Sequence, residues 1–169
     1  MGYNKCWIAV VNGVKYGYED IGETLILRTK DKNKLDDAFH KDSKGYYIRQ
    51  FRREEISDIY RCEIKGRFVT SPLIGTDTFD LMTVREDYVA LYFRHSSPCI
   101  QVPDWEVFCT DHGGSELVRR LNYSDLSGAV IEYTYYKKNG VEYNDHPLYL
   151  EEVINPADIY RISTEFEMI

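Results

Sequence analysis

Apolar and polar positions alternate along much of this chain, and the clearest run begins at Asp58. There Tyr60, Cys62, Ile64 and Phe68 alternate with Arg61, Glu63, Lys65 and Arg67. Successive side chains of a strand point to opposite faces, so this run predicts a strand with one apolar and one charged face. A second alternation follows Asp158, where Tyr160, Ile162, Thr164, Phe166 and Met168 interleave with Arg161, Ser163, Glu165 and Glu167. Both runs open on the same tetrapeptide, DIYR, at Asp58–Arg61 and Asp158–Arg161, and each is preceded by two acids and a β-branched residue.

Further strands are expected at Cys6–Val11, Thr24–Thr29, Gly45–Phe51, Thr78–Val84 and Leu148–Val153. Asn12-Gly13 and Asn139-Gly140 sit between strand-like runs and tolerate positive φ, so each predicts a hairpin. In Asp87–Arg94 both alternating sets are apolar, which suits a strand covered on both faces. Two short helices are expected. One spans Lys32–His40, with Leu35 and Phe39 four apart, and the other spans Glu116–Tyr123 behind Ser115 as N-cap.

These elements predict a β-rich α+β protein, built as antiparallel sheets or small-barrel-like halves with one or two short helices. Residues 1–169 read as one compact unit. Pseudo-repeats over 1–68 and 97–169 would be joined by central strands in 78–94. The order of strands, Asn-Gly hairpins and a tight turn before a final strand resembles that of SH3-like small barrels. That resemblance is one of pattern and implies no function.

Composition supports the β reading. Fifteen Tyr, seven Phe and two Trp suit pleated, half-buried surfaces, and Tyr also suits contact faces. The net charge of −7 disfavours the whole surface as a nucleic-acid binder. No apolar run approaches the roughly 20 residues of a spanning helix, so no membrane partner is expected. The four cysteines lack a disulfide-scaffold pattern and read as mainly buried thiols in a reducing cytoplasm.

Candidate chemistry is sparse. His95, Cys99, Cys109 and His112 have tolerable zinc-ligand spacing, but packed thiols explain them better, and no metal or cofactor is expected. Asp111 and His112 follow Cys109 closely, whereas a nucleophilic thiol and its base are normally distant in sequence. Gly113-Gly114 could present backbone N–H groups to an anion before a helix, or simply turn the chain. Glu63 and Lys65, with Asp42 or Asp58, supply the residue types of a metal-dependent nuclease.

Charge partition says more. Residues 28–67 carry twelve Lys/Arg against eight Asp/Glu, or +4, whereas residues 139–169 carry one Arg against seven acids, or −6. Such separation predicts a dipolar surface that could form a homodimer or meet a complementary partner. Arg49, Arg52, Arg53, Arg61, Lys65 and Arg67 are the expected partner-binding residues. Glu151, Glu152, Glu165 and Glu167 form the alternative surface.

The sequence therefore reads as a non-catalytic binding, inhibitory or regulatory protein, of the kind a virus or mobile element encodes. It would act through a Tyr- and charge-rich β surface on a protein partner, including one that handles nucleic acid. The alternative is a small hydrolase or metal-dependent nuclease.

Overall fold

The computed structural model describes residues 5–21, 24–69, 73–96, 101–136 and 149–168. Its strands join one open antiparallel sheet that branches at a single long strand. The amino-terminal strands are β1 (Lys5–Val11), β2 (Val14–Ile21), β3 (Thr24–Thr29), β4 (His40–Lys41), β5 (Tyr47–Phe51) and β6 (Asp58–Arg67). Then come β7 (Thr78–Val84), β8 (Tyr88–His95), β9 (Glu106–Cys109), β10 (Ser115–Asn122), β11 (Ala129–Tyr136) and β12 (Tyr149–Ile154). One α-helix, α1 (Ile159–Glu165), closes the chain among the described residues.

The branch follows from the register of β6. On one edge β11 runs along Ile59–Lys65, overlapping everything opposite. The other edge must therefore hold both remaining partners: β1 along Asp58–Glu63 and β7 along Lys65–Arg67. From β1 the sheet continues through β2, β3, β5 and β4, and from β7 through β8, β10 and β9. At the fork Gly66 fits closely, because a Cβ there would lie 2.7 Å from Leu91 Cδ2 and 3.0 Å from Leu81 Cδ2.

Two apolar cores lie on opposite sides of β1. The larger takes Ile8 of β1 with Cys62, Ile64, Phe79, Leu81, Leu91, Leu117 and Ile131, and Ile159 and Met168 cover it from the carboxy-terminal segment. The smaller takes Ala9 and Val11 with Tyr16, Leu25, Leu27, Phe51 and Ile56, and Phe39 packs against it. Over Ile8–Val11 both faces of β1 are buried, so no polar alternation appears there.

The Asn12-Gly13 hairpin is present, with φ of 51° and 77° at its two positions. The β8 strand is covered on both faces, with Val89 through Tyr92 all buried. Asn139-Gly140 falls outside the described residues.

Several expectations are corrected. Lys32–His40 forms only one 3-10 turn, at Lys32–Lys34. The carboxylates of Asp31 and Asp36 accept from the backbone N–H of Asn33 and Ala38, both at 2.9 Å, and such local bonds compete with a helix. Ser115–Asn122 is strand β10, held between β8 and β9, with Ser115 and Leu117 fully buried.

The second DIYR is not a strand either. Asn155 caps a 3-10 turn at Pro156–Asp158, and the chain passes directly into α1. The open sheet replaces barrel-like halves, and the two DIYR segments occupy unlike elements, so the internal repeat is not confirmed.

Candidate functional site

Alternation along β6 sends Tyr60, Cys62 and Ile64 into the larger core and turns Arg61, Glu63, Lys65 and Arg67 to the outer face. On this face Trp7 of β1 stands directly across from Arg61, and Thr134 of β11 faces Arg61 from the other edge. The indole edge meets the Tyr18 ring of β2, with centroids 5.9 Å apart and planes at 70°. Trp7 remains 40% exposed. Tyr18, Trp7, Arg61 and Thr134 thus form a transverse row over four strands.

The same register extends the row the other way. Tyr18 pairs with Leu27, and Leu27 pairs with Arg49. Arg49 and Arg61 therefore share one sheet face, with buried Leu27 between them.

The structure splits the six expected basic residues into two groups. Arg61, Lys65 and Arg67 lie on β6. Arg49 belongs to β5, Arg52 caps the next 3-10 turn and Arg53 opens it, with β1, β2 and β3 intervening. This second group lines a shallow hollow with Phe51, Glu54 and Glu55. Arg49 pairs with Asp36 and stacks 4.3 Å from the Phe51 ring centre. Arg53 reaches Asp20 at 2.9 Å.

On β6, Lys65 Nζ meets Glu132 at 2.9 Å and Arg67 meets Glu151. Burial pulls the Lys65 ammonium down, but the hydrogen bond and charge of Glu132, with Glu63 and Asp80, carry it above the ordinary lysine value. Arg61 and Arg52 make no ion pair among the described residues.

The charge partition seen in the sequence is largely satisfied within the molecule. Arg28 and Lys44 converge on Glu167, and Lys34 Nζ lies 2.5 Å from the buried Glu165 carboxylate. Thr29 also donates to Glu165, and the Tyr46 hydroxyl donates to the Thr164 carbonyl at 2.8 Å. Glu152 reaches Lys15 at 3.6 Å and accepts from the Tyr133 hydroxyl at 3.1 Å. The acidic carboxy-terminal segment is thus docked on the basic amino-terminal one.

Other sequence candidates resolve differently. Cys109 is disulfide-bonded and exposed, so it offers no thiolate to a substrate and is not a buried thiol. Cys99 lies outside the described residues. The stretch Thr110–Gly114 is the β9–β10 hairpin, with Thr110 N–H donating to Gly114 O at 2.9 Å and Gly113 at φ +78°. Asp111 and His112 point into solvent there, and a strand, not a helix, follows.

Around Lys65, Asp80 and Glu132 sit on neighbouring strands, Glu132 directly across from Glu63. Asp42 is used locally, accepting from the N–H groups of Lys44 and Tyr46. No three His, Cys, Asp or Glu side chains gather as a metal would require among the described residues. No described helix is long and apolar enough to cross a membrane.

Trp7 was not legible as a surface residue, because apolar neighbours flank it in the sequence, yet it is 40% exposed. Fold and face define a class: a branched antiparallel sheet with an aromatic-arginine row on its outer side. Over residues 7–87 the chain is similar to a family described as an uncharacterised conserved protein. The matched stretch carries Trp7, Tyr18 and Arg61, and it ends before Thr134. No curated protein matches the chain, and no solved structure does.

Proposed function

We propose that this protein is a non-catalytic binding protein, with an inhibitory or regulatory role, that engages a protein partner through the outer face of β1, β6 and β11. The observation carrying this reading is the Tyr18–Trp7–Arg61 row, where a 40% exposed indole lies beside an arginine with no acidic partner among the described residues. Trp, Tyr and Arg dominate the residues that carry binding energy at protein interfaces. A laddered sheet fixes their spacing in advance, which lowers the entropy lost on binding.

Arg61 selects for an acidic partner surface, since its guanidinium can fork onto a carboxylate or phosphate. Arg52 is the second such arginine, at the rim of the hollow beyond β3. Arg49, Arg53, Lys65 and Arg67 support the face as paired charges. A head-to-tail homodimer loses its main basis, because the acidic segment already meets Arg28, Lys34, Lys44 and Arg67. The cytoplasmic setting remains a proposal, and the disulfide at Cys109 argues for an oxidising one.

A metal-dependent nuclease is the alternative reading; Glu63, Asp80 and Glu132 act on Lys65, but they form no three-ligand cluster among the described residues. Magnesium-stimulated cleavage of DNA or RNA, lost in Lys65→Ala, would establish it.

The binding reading is tested by a photo-crosslinking residue placed at position 134 or at position 161. Crosslinks to one defined protein from position 134 alone are expected. Crosslinks from position 161 alone would move the site to the carboxy-terminal helix.

A further inference from the structure

We propose that Cys6 and Cys62 are a thiol-oxidation site: a low-molecular-weight disulfide, such as oxidised glutathione, converts them to a cross-strand disulfide tying β1 to β6. The two residues are direct register partners. Paired Cα atoms of an antiparallel ladder lie about 4.5–5.5 Å apart, within the about 4.4–6.8 Å that a disulfide spans. Both cysteines are free. A chain that also holds a disulfide at Cys109 belongs with oxidants.

Access sets the order of events. Cys62 is 1% exposed, whereas Cys6 is half-buried. Cys6 also sits in the part of β1 that is laddered on one side, because pairing with β2 begins only at Ile8. Fraying of Lys5–Trp7 from β6 therefore opens Cys6 first.

In the first step the Cys6 thiolate attacks one glutathione sulfur, forming a mixed disulfide and releasing one glutathione thiolate. The Cys62 thiolate then attacks the Cys6 sulfur, forming the cross-strand bond and releasing the second. The protein loses two protons and two electrons, and the small disulfide gains both pairs. The neighbouring Cys62 thiol and burial hold the Cys6 thiol above its ordinary pKa, which slows the first attack in the folded chain. Once formed, the bond clamps the backbone immediately beside Trp7 and Arg61.

The test incubates the folded full chain with oxidised glutathione at neutral pH, alkylates free thiols and maps the peptides. Most chains should carry a Cys6–Cys62 linked peptide, and the Tm should rise by about 5–15 °C. In Cys62→Ser a glutathione adduct should persist on Cys6, because nothing resolves it. Wild-type chains with both thiols alkylated would overturn the proposal. Stable glutathione adducts on wild-type Cys6 without closure would overturn it as well.

Discussion

The segments Asp58–Arg61 and Asp158–Arg161 are identical in sequence but differ in secondary structure and in the surroundings of their isoleucines and arginines. The first begins β6, at the centre of the sheet, with Tyr60 turned inward against Tyr133 at 5.4 Å between ring centres. The second leaves a 3-10 turn and enters α1, which lies over the larger core. In the strand copy Ile59 packs against the smaller core, and Arg61 stands on the outer face beside Trp7. In the helical copy Ile159 is fully buried in the larger core, and Arg161 reaches back to Asp158 at 3.3 Å.

The difference lies in what precedes and what is available to pair. Ser57 N–H already donates to Val10 O at 2.8 Å, so the first copy enters a ladder at once. The second follows Asn155-Pro156, where Asn155 accepts from Ala157 N–H and Pro fixes a helical φ without needing a donor. Ile159, Ile162 and Phe166 also satisfy helical spacing, and the alternating set beginning at Tyr160 satisfied strand spacing equally well. A short apolar pattern that fits both periods is decided by its neighbours.

The largest effect that sharpens this contrast is in the two isoleucines. Ile159→Ala should cost about 3 kcal/mol and Ile59→Ala roughly half that, measured by urea unfolding. Equal costs would mean that α1 is not seated on the core. Next comes the clamp on the helical copy. Glu165→Ala should cost about 2 kcal/mol, because Lys34 and Thr29 lose a buried partner. The strand copy depends instead on Gly66 at the fork, where Gly66→Ala should cost about 1–3 kcal/mol through its clash with Leu91 and Leu81.

A smaller, collective effect is alkaline sensitivity. Burial raises the hydroxyls of Tyr16, Tyr46, Tyr60 and Tyr133, and pushes Tyr123 to about 12. In the unfolded chain these groups ionise near pH 10, while in the folded chain they keep their protons. The unfolded state thus binds fewer protons above pH 10, so stability should fall from there through about pH 12. A thermal midpoint unchanged across that window would contradict the burial assigned to these rings.

Much of the sheet was legible because β6, β7 and β8 have simple solvent relations: alternating where one face is wet, continuous where both are dry. The Asn12-Gly13 hairpin was legible because its backbone demands those residues. β10 was not, since Leu117, Val118 and Leu121 fit a helix locally and only the strands on both sides of it decide otherwise. The basic residues were legible as a set, but not which of them are already paired. The acids that neutralise Lys65 and Arg67 come from β11 and β12, far along the chain.

The smallest stability effects belong to the two arginines of the shared tetrapeptide. Arg61→Glu and Arg161→Glu should each change stability by no more than about 1 kcal/mol, because neither is a buried charge. They should differ in binding. The most direct measurement immobilises wild type and each variant, captures proteins from a cell lysate, and quantifies what is retained. The account predicts that a defined protein held by wild type is reduced by more than about tenfold with Arg61→Glu and is unchanged with Arg161→Glu. Full retention by a folded Arg61→Glu variant would contradict it.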